Sequence, residues 1–440
     1  MDHAIVVAAG TGIDKEKLSI HEKTVFGSLP KFKRLVITAQ RAGIKRFTII
    51  TEKSDSSLKE LLSGDKRFRG DINWHPLGSA IIPDSEPSLI IQSNLITTPI
   101  ALSNFMKTEC LRDEMTILAD ISDDAWIKSG NGKVSDVCSY GGKAVGAFIA
   151  EGKLLEKSIM DSMSIRSLAD ELISRGKVKL SRFSDSYWMR LTSDEGSALK
   201  AENLLFAHVG KTATGWISGN INSKISLPTS RLLVKTPLTP NMVSVIVNII
   251  GMFCGIFYAV GHPVWGALFM QTATTLDRCD GEVARVKLME TQRGQWVDMI
   301  AVQVTVLSFI LGLPLGYYLI SNNPFAIILG AMNLSILIFF LIWSFYFLKK
   351  YTNSGSLVAY FEVDKLEEGK KPSLIRKLIK LVRPMSRRNF FSLAFLILAI
   401  VGGYPWVLGF TTAALILFLI HQIEDIIKLR KAKPENDILK

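Results

Sequence analysis

Two hydrophobic patterns divide this chain of 440 residues. In its first part, up to about Pro237, short apolar runs alternate with amphipathic stretches and polar turns, which is typical of a soluble α/β protein. From Leu238 to Gln422, long apolar runs dominate instead. The first of them, between Lys235 and Asp277, contains no Asp, Glu, Lys or Arg and is long enough for two membrane spans of about 20 residues each.

Strands and helices alternate in the first part of the chain. Apolar runs rich in β-branched residues predict strands, and a 3.6-residue periodicity predicts helices. The strands are predicted at Ala4–Ala9, Arg46–Thr51, Ser88–Ile91, Met115–Ala119, Lys143–Ala150 and Lys177–Phe183, and the helices at Phe32–Ala42, Ser56–Leu62 and Ser164–Gly176. The alternation predicts a Rossmann-like α/β domain over residues 1–200, with a parallel or mixed sheet covered on both faces.

The apolar runs of the second part predict an all-α transmembrane domain of six helices over residues 238–425. The spans are predicted at Asn241–Val260, Val264–Leu276, Gly294–Ile320, Phe325–Leu348, Phe390–Val401 and Pro405–Ile420. We expect the second span to continue as a helix through the acidic residues that follow it. Residues 201–237 form a juxtamembrane linker in this scheme, and residues 426–440 form a basic cytoplasmic tail.

The basic residues predict how this domain is oriented. The chain has 52 Lys and Arg residues against 40 Asp and Glu residues, a net charge of +12, and its basic clusters flank the apolar runs. With six spans, the loops near Gly261, Asn322 and Gly403 share one side and carry no Lys or Arg. The positive-inside rule then assigns the soluble domain and the acidic motif to the cytoplasmic side, facing membrane lipids. Nucleic acid is not expected as a partner, because the basic stretches lack interleaved aromatic residues.

Three carboxylates follow the second span and open the third. Asp277 and Asp280 are three residues apart, and Asp298 lies on the next predicted helix. If the flanking runs are neighbouring helices, these acids can converge at their shared end. Carboxylate oxygens are the ligands that hard divalent cations prefer, so the three residues predict a site for Mg²⁺ or Mn²⁺.

The residues between these aspartates suit a phosphate-bearing ligand. Gly281 and Ala284 continue the helix face that carries Asp277 and Asp280, and they leave it free of bulky side chains. A ligand could therefore approach the helix backbone. Arg285 adds a planar guanidinium group suited to phosphate oxygens.

The whole stretch resembles the signature of the CDP-alcohol phosphotransferase family. That signature runs D, two residues, DG, two residues, AR, eight residues, G, three residues, D, three residues, D. Seven of its eight fixed positions are matched, by Asp277, Asp280, Gly281, Ala284, Arg285, Gly294 and Asp298. The last position, which the family gives to an aspartate acting as general base, is occupied by Val302.

The resemblance implies that an acceptor hydroxyl attacks the phosphorus that carries the alcohol of a CDP-alcohol, and that CMP is released. The product would be a phospholipid or an inositol-type phosphodiester, and family members are commonly homodimers. The implied roles are one or two Mg²⁺ or Mn²⁺ ions held by Asp277, Asp280 and Asp298, nucleotide binding along Asp277, Gly281, Ala284, Arg285 and Gly294, and catalysis by Asp298 and Arg285.

Val302 keeps an alternative open. Valine cannot accept a proton, and no Asp or Glu occurs between Asp298 and Glu362 that a shifted alignment could use. The chain is therefore either an active transferase or a catalytically impaired member that acts as a binding or regulatory membrane protein. A channel or transporter is disfavoured, because the spans carry no charges away from one membrane face.

Two arginines before the fifth predicted span also have two interpretations. Arg387 and Arg388, with Asn389, open that span on the side of the aspartates. They could bind the phosphate of an acceptor or a lipid, or they could serve only as positive anchors at the membrane surface. The sequence favours neither role over the other.

The first domain resembles the sugar-phosphate nucleotidyltransferases, including cytidylyltransferases fused to CDP-alcohol phosphotransferases. The resemblance lies in a glycine turn after the first strand at Gly10–Gly12, the step Ala42-Gly43-Ile44, and a strand that ends in Asp120. Ile13 follows the glycine turn where such enzymes have an arginine, and Met189 and Arg190 follow Trp188 where they have a second metal-binding acid. A degenerate nucleotidyltransferase-like domain is therefore expected, with an active cytidylyltransferase as the alternative.

Overall fold

The chain folds into two compact units in the computed structural model of the protein. The first contains Met1–His208 and Val286–Leu288, and the second contains Val209–Arg285 and Met289–Lys440. The structure describes residues 1–7, 25–51, 56–76, 87–108, 110, 114–120, 129–130, 133–134, 143–151, 154, 171–172, 174–182, 188–191, 196–211, 216–351 and 388–431.

The first unit is built on a mixed β-sheet. Its strands are β1 (His3–Val7), β2 (Val25–Phe26), β3 (Leu29–Pro30), β4 (Arg46–Thr51), β5 (Asp71–Pro76), β6 (Pro87–Gln92), β7 (Leu95–Thr97), β8 (Met115–Asp120), β9 (Ser129–Gly130), β10 (Lys133–Val134), β11 (Lys143–Glu151), β12 (Val178–Arg182) and β13 (Trp188–Arg190). The described strands of the main sheet follow the order β5-β4-β1-β6-β11-β8-β12-β10-β9. Helices α1 (Lys31–Arg41), α2 (Ser56–Leu62), α3 (Pro99–Met106) and α4 (Gly196–Lys211) belong to the same part of the chain.

Strand β1 lies in the middle of the parallel part of the sheet, between β4 and β6. All five of its residues are buried, which is why it reads as a continuous apolar run and not as an alternating one. Its one polar residue, His3, has both ring nitrogens within hydrogen-bond distance of hydroxyl groups, at 3.0 Å from Ser88 Oγ and 2.8 Å from Thr48 Oγ1. The buried imidazole is thus satisfied inside the core.

The prediction of a mixed sheet is confirmed. β1, β4, β5 and β6 run parallel, whereas β11 pairs antiparallel with both β6 and β8. The six strands expected from the sequence are present, with ends that differ by one or two residues where both ends are described. The glycine turn and most of the predicted helix at Ser164–Gly176 lie outside the described residues. Asp120 is the last residue of β8, as expected.

The second unit is helical in its described residues. A π-helix at Ser218–Asn222 leads into α5 (Ser223–Val234), followed by α6 (Pro240–Ala259), α7 (Pro263–Leu276), α8 (Arg278–Val286), α9 (Gln292–Ser321), α10 (Phe325–Tyr351), α11 (Arg388–Val401) and α12 (Tyr404–Lys431). Thr239 caps α6 by accepting a hydrogen bond from the Met242 backbone N–H at 3.3 Å, with Pro240 at the first helical position.

All six predicted apolar helices are present, as α6, α7, α9, α10, α11 and α12. Three of them, α6, α9 and most of α10, are long and apolar enough to cross a membrane. The expected continuation of α7 through the acidic motif is wrong in detail, because α7 ends at Leu276 and α8 begins at Arg278. Helix α7 packs mainly against α6 and α11 and also touches α5, whereas Glu282 of α8 accepts hydrogen bonds from serines of α5.

Helices α6 and α9 approach each other closely through glycine. A methyl group added to Gly312 on α9 would overlap the carbonyl oxygen of Gly255 on α6. About two turns away on both helices, Thr305 Oγ1 on α9 donates a hydrogen bond to Asn248 Oδ1 on α6 at 2.8 Å. Close backbone packing and an interhelical hydrogen bond are the interactions that hold helices together where the surroundings are apolar.

We predict that Gly312→Ala destabilises the protein, because its new methyl group meets a backbone carbonyl that cannot move aside. Gly409→Ala on α12 is the matched control, since a methyl group there meets no atom within 4 Å. Overpacking of this kind typically lowers the free energy of unfolding by about 1–3 kcal/mol. Thermal unfolding of both variants in detergent checks the prediction, and equal melting temperatures would contradict the packing described.

Candidate active site

The acidic motif lines a cavity of about 530 Å³ in the second unit. Parts of α6, α8 and α9 form its walls together with the first residue of α11. Every site residue expected from the sequence lines this cavity: Asp277, Asp280, Gly281, Ala284, Arg285, Gly294, Asp298 and Val302. The structure therefore brings together residues from two helices, α8 and α9, and from the break before α8.

Asp280 is held firmly in the first turn of α8. Its side chain accepts hydrogen bonds from the hydroxyl of Ser244 on α6 and from the Gly281 backbone N–H, the latter at 2.5 Å. Only 8% of the residue is exposed. Burial and the neighbouring Asp277 carboxylate raise the pKa of Asp280 above its usual range. No lysine or arginine among the described residues forms an ion pair with Asp280 at a distance of 4 Å or less. A cation bound beside this carboxylate would therefore stabilise it strongly.

Asp277 lies at the break between α7 and α8 and forms an ion pair. Its Oδ2 atom is 2.5 Å from Nη2 of Arg388, the first residue of α11. Its Oδ1 atom is buried and accepts no hydrogen bond from the described residues. One oxygen of this carboxylate is thus paired within the protein, and the other is a candidate ligand atom for a cation.

Asp298 reaches the cavity from α9. Thr291 caps this helix by accepting a hydrogen bond from the Gly294 backbone N–H at 3.0 Å, which fixes the first turn beside the cavity. The Oδ1 atom of Asp298 is buried and has no hydrogen-bond partner. Val302 follows one helical turn later and lines the same cavity, so the position of the family's base is present without its carboxylate.

Carboxylate oxygens at this cavity are the groups that a divalent cation would bind. One oxygen of Asp277 and one of Asp298 are buried and have no hydrogen-bond partner in the described structure, and Asp280 lines the same cavity. Among the described residues, however, no group of three His, Cys, Asp or Glu side chains is close enough to form a complete metal cage. Water or a ligand's phosphate oxygens would have to fill the remaining positions, as is usual for Mg²⁺.

Packing against the described residues does not require a glycine at position 281. A methyl group there would meet only Nη1 of Arg285, at the ordinary contact distance of 3.7 Å. The space beside Gly281 therefore belongs to the cavity, and Ala284 lines the same wall. Arg285 and Glu290 lie at the more exposed part of the lining, with Nε and Oε1 3.7 Å apart.

The opposite face of α8 is anchored by a buried polar cluster. Glu282 accepts hydrogen bonds from Ser226 and Ser230 of α5, at 2.8 and 2.7 Å. Its Oε1 atom also receives a hydrogen bond from Arg278 Nη2 at 3.0 Å, and Arg278 donates a further one to Ser218. We call Arg278, Glu282, Ser226 and Ser230 the α8 anchor. It fixes the helix that presents Asp280 and Gly281 to the cavity.

Some of the cavity residues were missed in the sequence. Asn241 and Ser244 lie on one face of α6 together with Asn248, and such polar spacing in an apolar span is a signal that sequence analysis could have used. For Arg388 the sequence left two roles open, and the ion pair with Asp277 supports a role in the site over a purely surface anchor. Gln303, next to Val302, gave no distinguishing signal.

The fold and the site define a helical, apolar unit with an acidic motif at the ends of its helices. Residues 237–360 match the family model described as CDP-alcohol phosphatidyltransferase. The chain therefore carries a CDP-alcohol phosphatidyltransferase domain in its second unit, after a mixed α/β domain. Arg388 lies outside the matched residues.

The chain is similar to proteins named "Bifunctional IPC transferase and DIPP synthase". The one from Aquifex aeolicus is 23% identical over 61% of this chain and 65% of its own length. The one from Thermococcus kodakarensis is 31% identical over 30% of each chain. The match thus spans less than two thirds of either relative. Among solved structures, the inositol-1-phosphate CTP transferase from T. maritima is 18% identical, with a TM-score of 0.37, over 46% of this chain and 94% of that one.

We predict that Glu282→Ala lowers the free energy of unfolding by about 3 kcal/mol, because it leaves the Arg278 charge buried without its partner. The side chains of this pair are 2% and 14% exposed. Glu171→Ala removes an ion pair of the same i,i+4 spacing whose arginine is 58% exposed, and there we expect about 0.5 kcal/mol or less. Thermal unfolding of both variants in detergent makes the comparison. Equal losses would show that the α8 anchor does not stabilise the helix.

Proposed function

We propose that the protein is an integral membrane CDP-alcohol phosphotransferase. It transfers the substituted phosphate of a CDP-alcohol to the hydroxyl of an acceptor alcohol and releases CMP. The observation that carries this proposal is that all seven matched motif residues line one cavity. Of the two products considered, the names of the relatives favour an inositol-type phosphodiester over a phospholipid.

The chemistry follows from the residues in the cavity. Asp277, Asp280 and Asp298 would hold Mg²⁺ or Mn²⁺, which neutralises the diphosphate and stabilises CMP as the leaving group. Gly281 and Ala284 leave room for the nucleotide beside the α8 backbone, in line with the open space next to Gly281. Gly294 opens α9 at the same wall. Arg285 donates charge-assisted hydrogen bonds to the diphosphate.

Proton transfer has to proceed without the family's usual base. The acceptor oxygen forms a bond to the phosphorus that carries the alcohol, the bond from that phosphorus to CMP breaks, and the hydroxyl proton must leave. Val302 cannot take it. In our proposal Asp298, one turn earlier on α9, accepts the proton through one of its two carboxylate oxygens, while the other oxygen would hold the cation. One carboxylate then serves both as metal ligand and as base.

The six apolar helices would all span the membrane, with the cavity facing the cytoplasm, where soluble nucleotides are present. The basic clusters around the apolar runs support this orientation through the positive-inside rule. Membrane lipids are therefore partners of the second unit, and a homodimer remains our expectation from the family. The first unit would be a degenerate nucleotidyltransferase-like domain that no longer supplies the CDP-alcohol.

We predict that Val302→Asp increases the rate of CMP release with a CDP-alcohol, an acceptor alcohol and Mn²⁺. A positioned base contributes on the order of 10²-fold or more to such a reaction, so the gain should approach that size. Val302→Asn is the matched control, because it has nearly the same shape as aspartate and cannot act as a base. It should leave the rate near that of the native protein.

The outcome in the native protein separates the two interpretations of Val302. Measurable CMP release that Asp298→Asn abolishes is the expected result. No release from any CDP-alcohol, together with a gain in Val302→Asp, would contradict an active enzyme. It would favour instead a binding or regulatory membrane protein that retains the nucleotide cavity.

For the first unit we predict no cytidylyltransferase activity. The full-length chain, incubated with CTP, Mg²⁺ and a sugar or inositol phosphate, should release no more pyrophosphate than Asp120→Ala. The reason is that Met189 and Arg190 directly follow Trp188, where a second acid is expected beside Asp120, and a single carboxylate holds a divalent cation poorly. Pyrophosphate release that depends on Asp120 and persists in Asp298→Asn would show that the domain is active.

A further inference from the structure

The charged groups around the cavity do not balance in the way that two metal ions would require. Among the described lining residues, Asp277, Asp280 and Asp298 contribute three negative charges, and Arg388 contributes one positive charge. Arg285 and Glu290 have opposite charges and lie near each other, so they cancel. The cavity thus carries two net negative charges, which one divalent cation neutralises.

The carboxylate oxygens that are available to bind a cation also favour a single ion. Both oxygens of Asp280 accept hydrogen bonds within the protein, and Oδ2 of Asp277 is paired with Arg388. The buried carboxylate oxygens without a partner in the described lining are Oδ1 of Asp277 and Oδ1 of Asp298. Two metal ions held close together normally share bridging carboxylates, and here the guanidinium group already occupies one side of Asp277.

Val302 and Arg388 both disfavour a second metal ion in the cavity. A fourth carboxylate at the position of Val302 would bring one more negative charge and another metal ligand into the cavity, and valine supplies neither. Arg388 fixes a positive charge at the opposite side of Asp277, where a second cation would meet repulsion in a poorly solvated site. Each residue alone weakens a second metal position, and together they remove its charge balance.

We propose that Arg388 takes the place of a second metal ion, so that the cavity binds a single divalent cation in the absence of nucleotide. The inference rests on the proposed function only in that it concerns the same site. Arg388 is thereby a positioning residue, which holds Asp277 and sets the charge of the cavity. It does not need to touch the reacting atoms for this role.

The number of bound ions tests the proposal without any turnover. The full-length protein in detergent or nanodiscs is titrated with Mn²⁺ in the absence of nucleotide, and bound Mn²⁺ is counted and examined by electron paramagnetic resonance. We expect one ion per chain with the spectrum of an isolated Mn²⁺. In the double variant Arg388→Gln with Val302→Asp, we expect two ions with the broadened spectrum of a spin-coupled pair.

Single variants and matched controls test whether charge determines the number of bound Mn²⁺ ions. Arg388→Gln should bind its first Mn²⁺ about tenfold more tightly, because it removes a positive charge that repels the ion. A tenfold change in the dissociation constant corresponds to a modest repulsion. Arg388→Lys keeps the charge and should bind one ion like the native protein. Val302→Asn adds an oxygen without charge, and Arg293→Gln removes an exposed positive charge outside the cavity lining. Both should leave the number at one.

Two coupled Mn²⁺ ions in the native protein would overturn the proposal, as would unchanged binding in both Arg388→Gln and the double variant. Absence of saturable binding to the native protein would overturn it as well. These results are independent of the reaction. A chain that binds two ions and releases CMP would leave the proposed function standing, and one that binds a single ion without turnover would contradict only the function.

Discussion

The mutual repulsion of three neighbouring carboxylates, one buried and two half-buried, is the constraint that the second unit has to satisfy. Asp277, Asp280 and Asp298 meet at the ends of apolar helices, where water does not screen them fully. The protein compensates with the Ser244 hydroxyl, a backbone N–H and the guanidinium group of Arg388. Compensation is incomplete, because two buried carboxylate oxygens have no hydrogen-bond partner among the described residues. In our proposal a cation neutralises the remaining negative charge, and a diphosphate can bind only together with it.

The surrounding structure keeps these carboxylates in place against their repulsion. The α8 anchor ties one face of the motif helix to α5, while the close contact of Gly255 with Gly312 holds α6 against α9. The aspartates are therefore carried by helices whose positions are fixed by contacts outside the cavity. This arrangement allows the cavity wall at Gly281 to stay open, since packing does not depend on it.

Much of this architecture could be predicted from the sequence because its signals are local. Strand β1 and the apolar helices follow from continuous hydrophobic runs, and the motif spacing predicted which residues share the cavity. The ion pair of Arg388 with Asp277 could not be predicted, since it joins residues over one hundred positions apart through tertiary packing. The break at Asp277 was also missed, because no glycine or proline marks it in the sequence at that position. The role of Asp120 stays a prediction.

Tracing the phosphorus that carries the alcohol tests the central claim most directly. The purified chain is given Mn²⁺, an acceptor alcohol and a CDP-alcohol that is radiolabelled at this phosphorus. The account predicts that the label passes into a phosphodiester of the acceptor, while CMP is released unlabelled, and that Asp298→Asn stops both. Label that stays in the CDP-alcohol, or that appears in the CMP or in a hydrolysis product without acceptor, would contradict it.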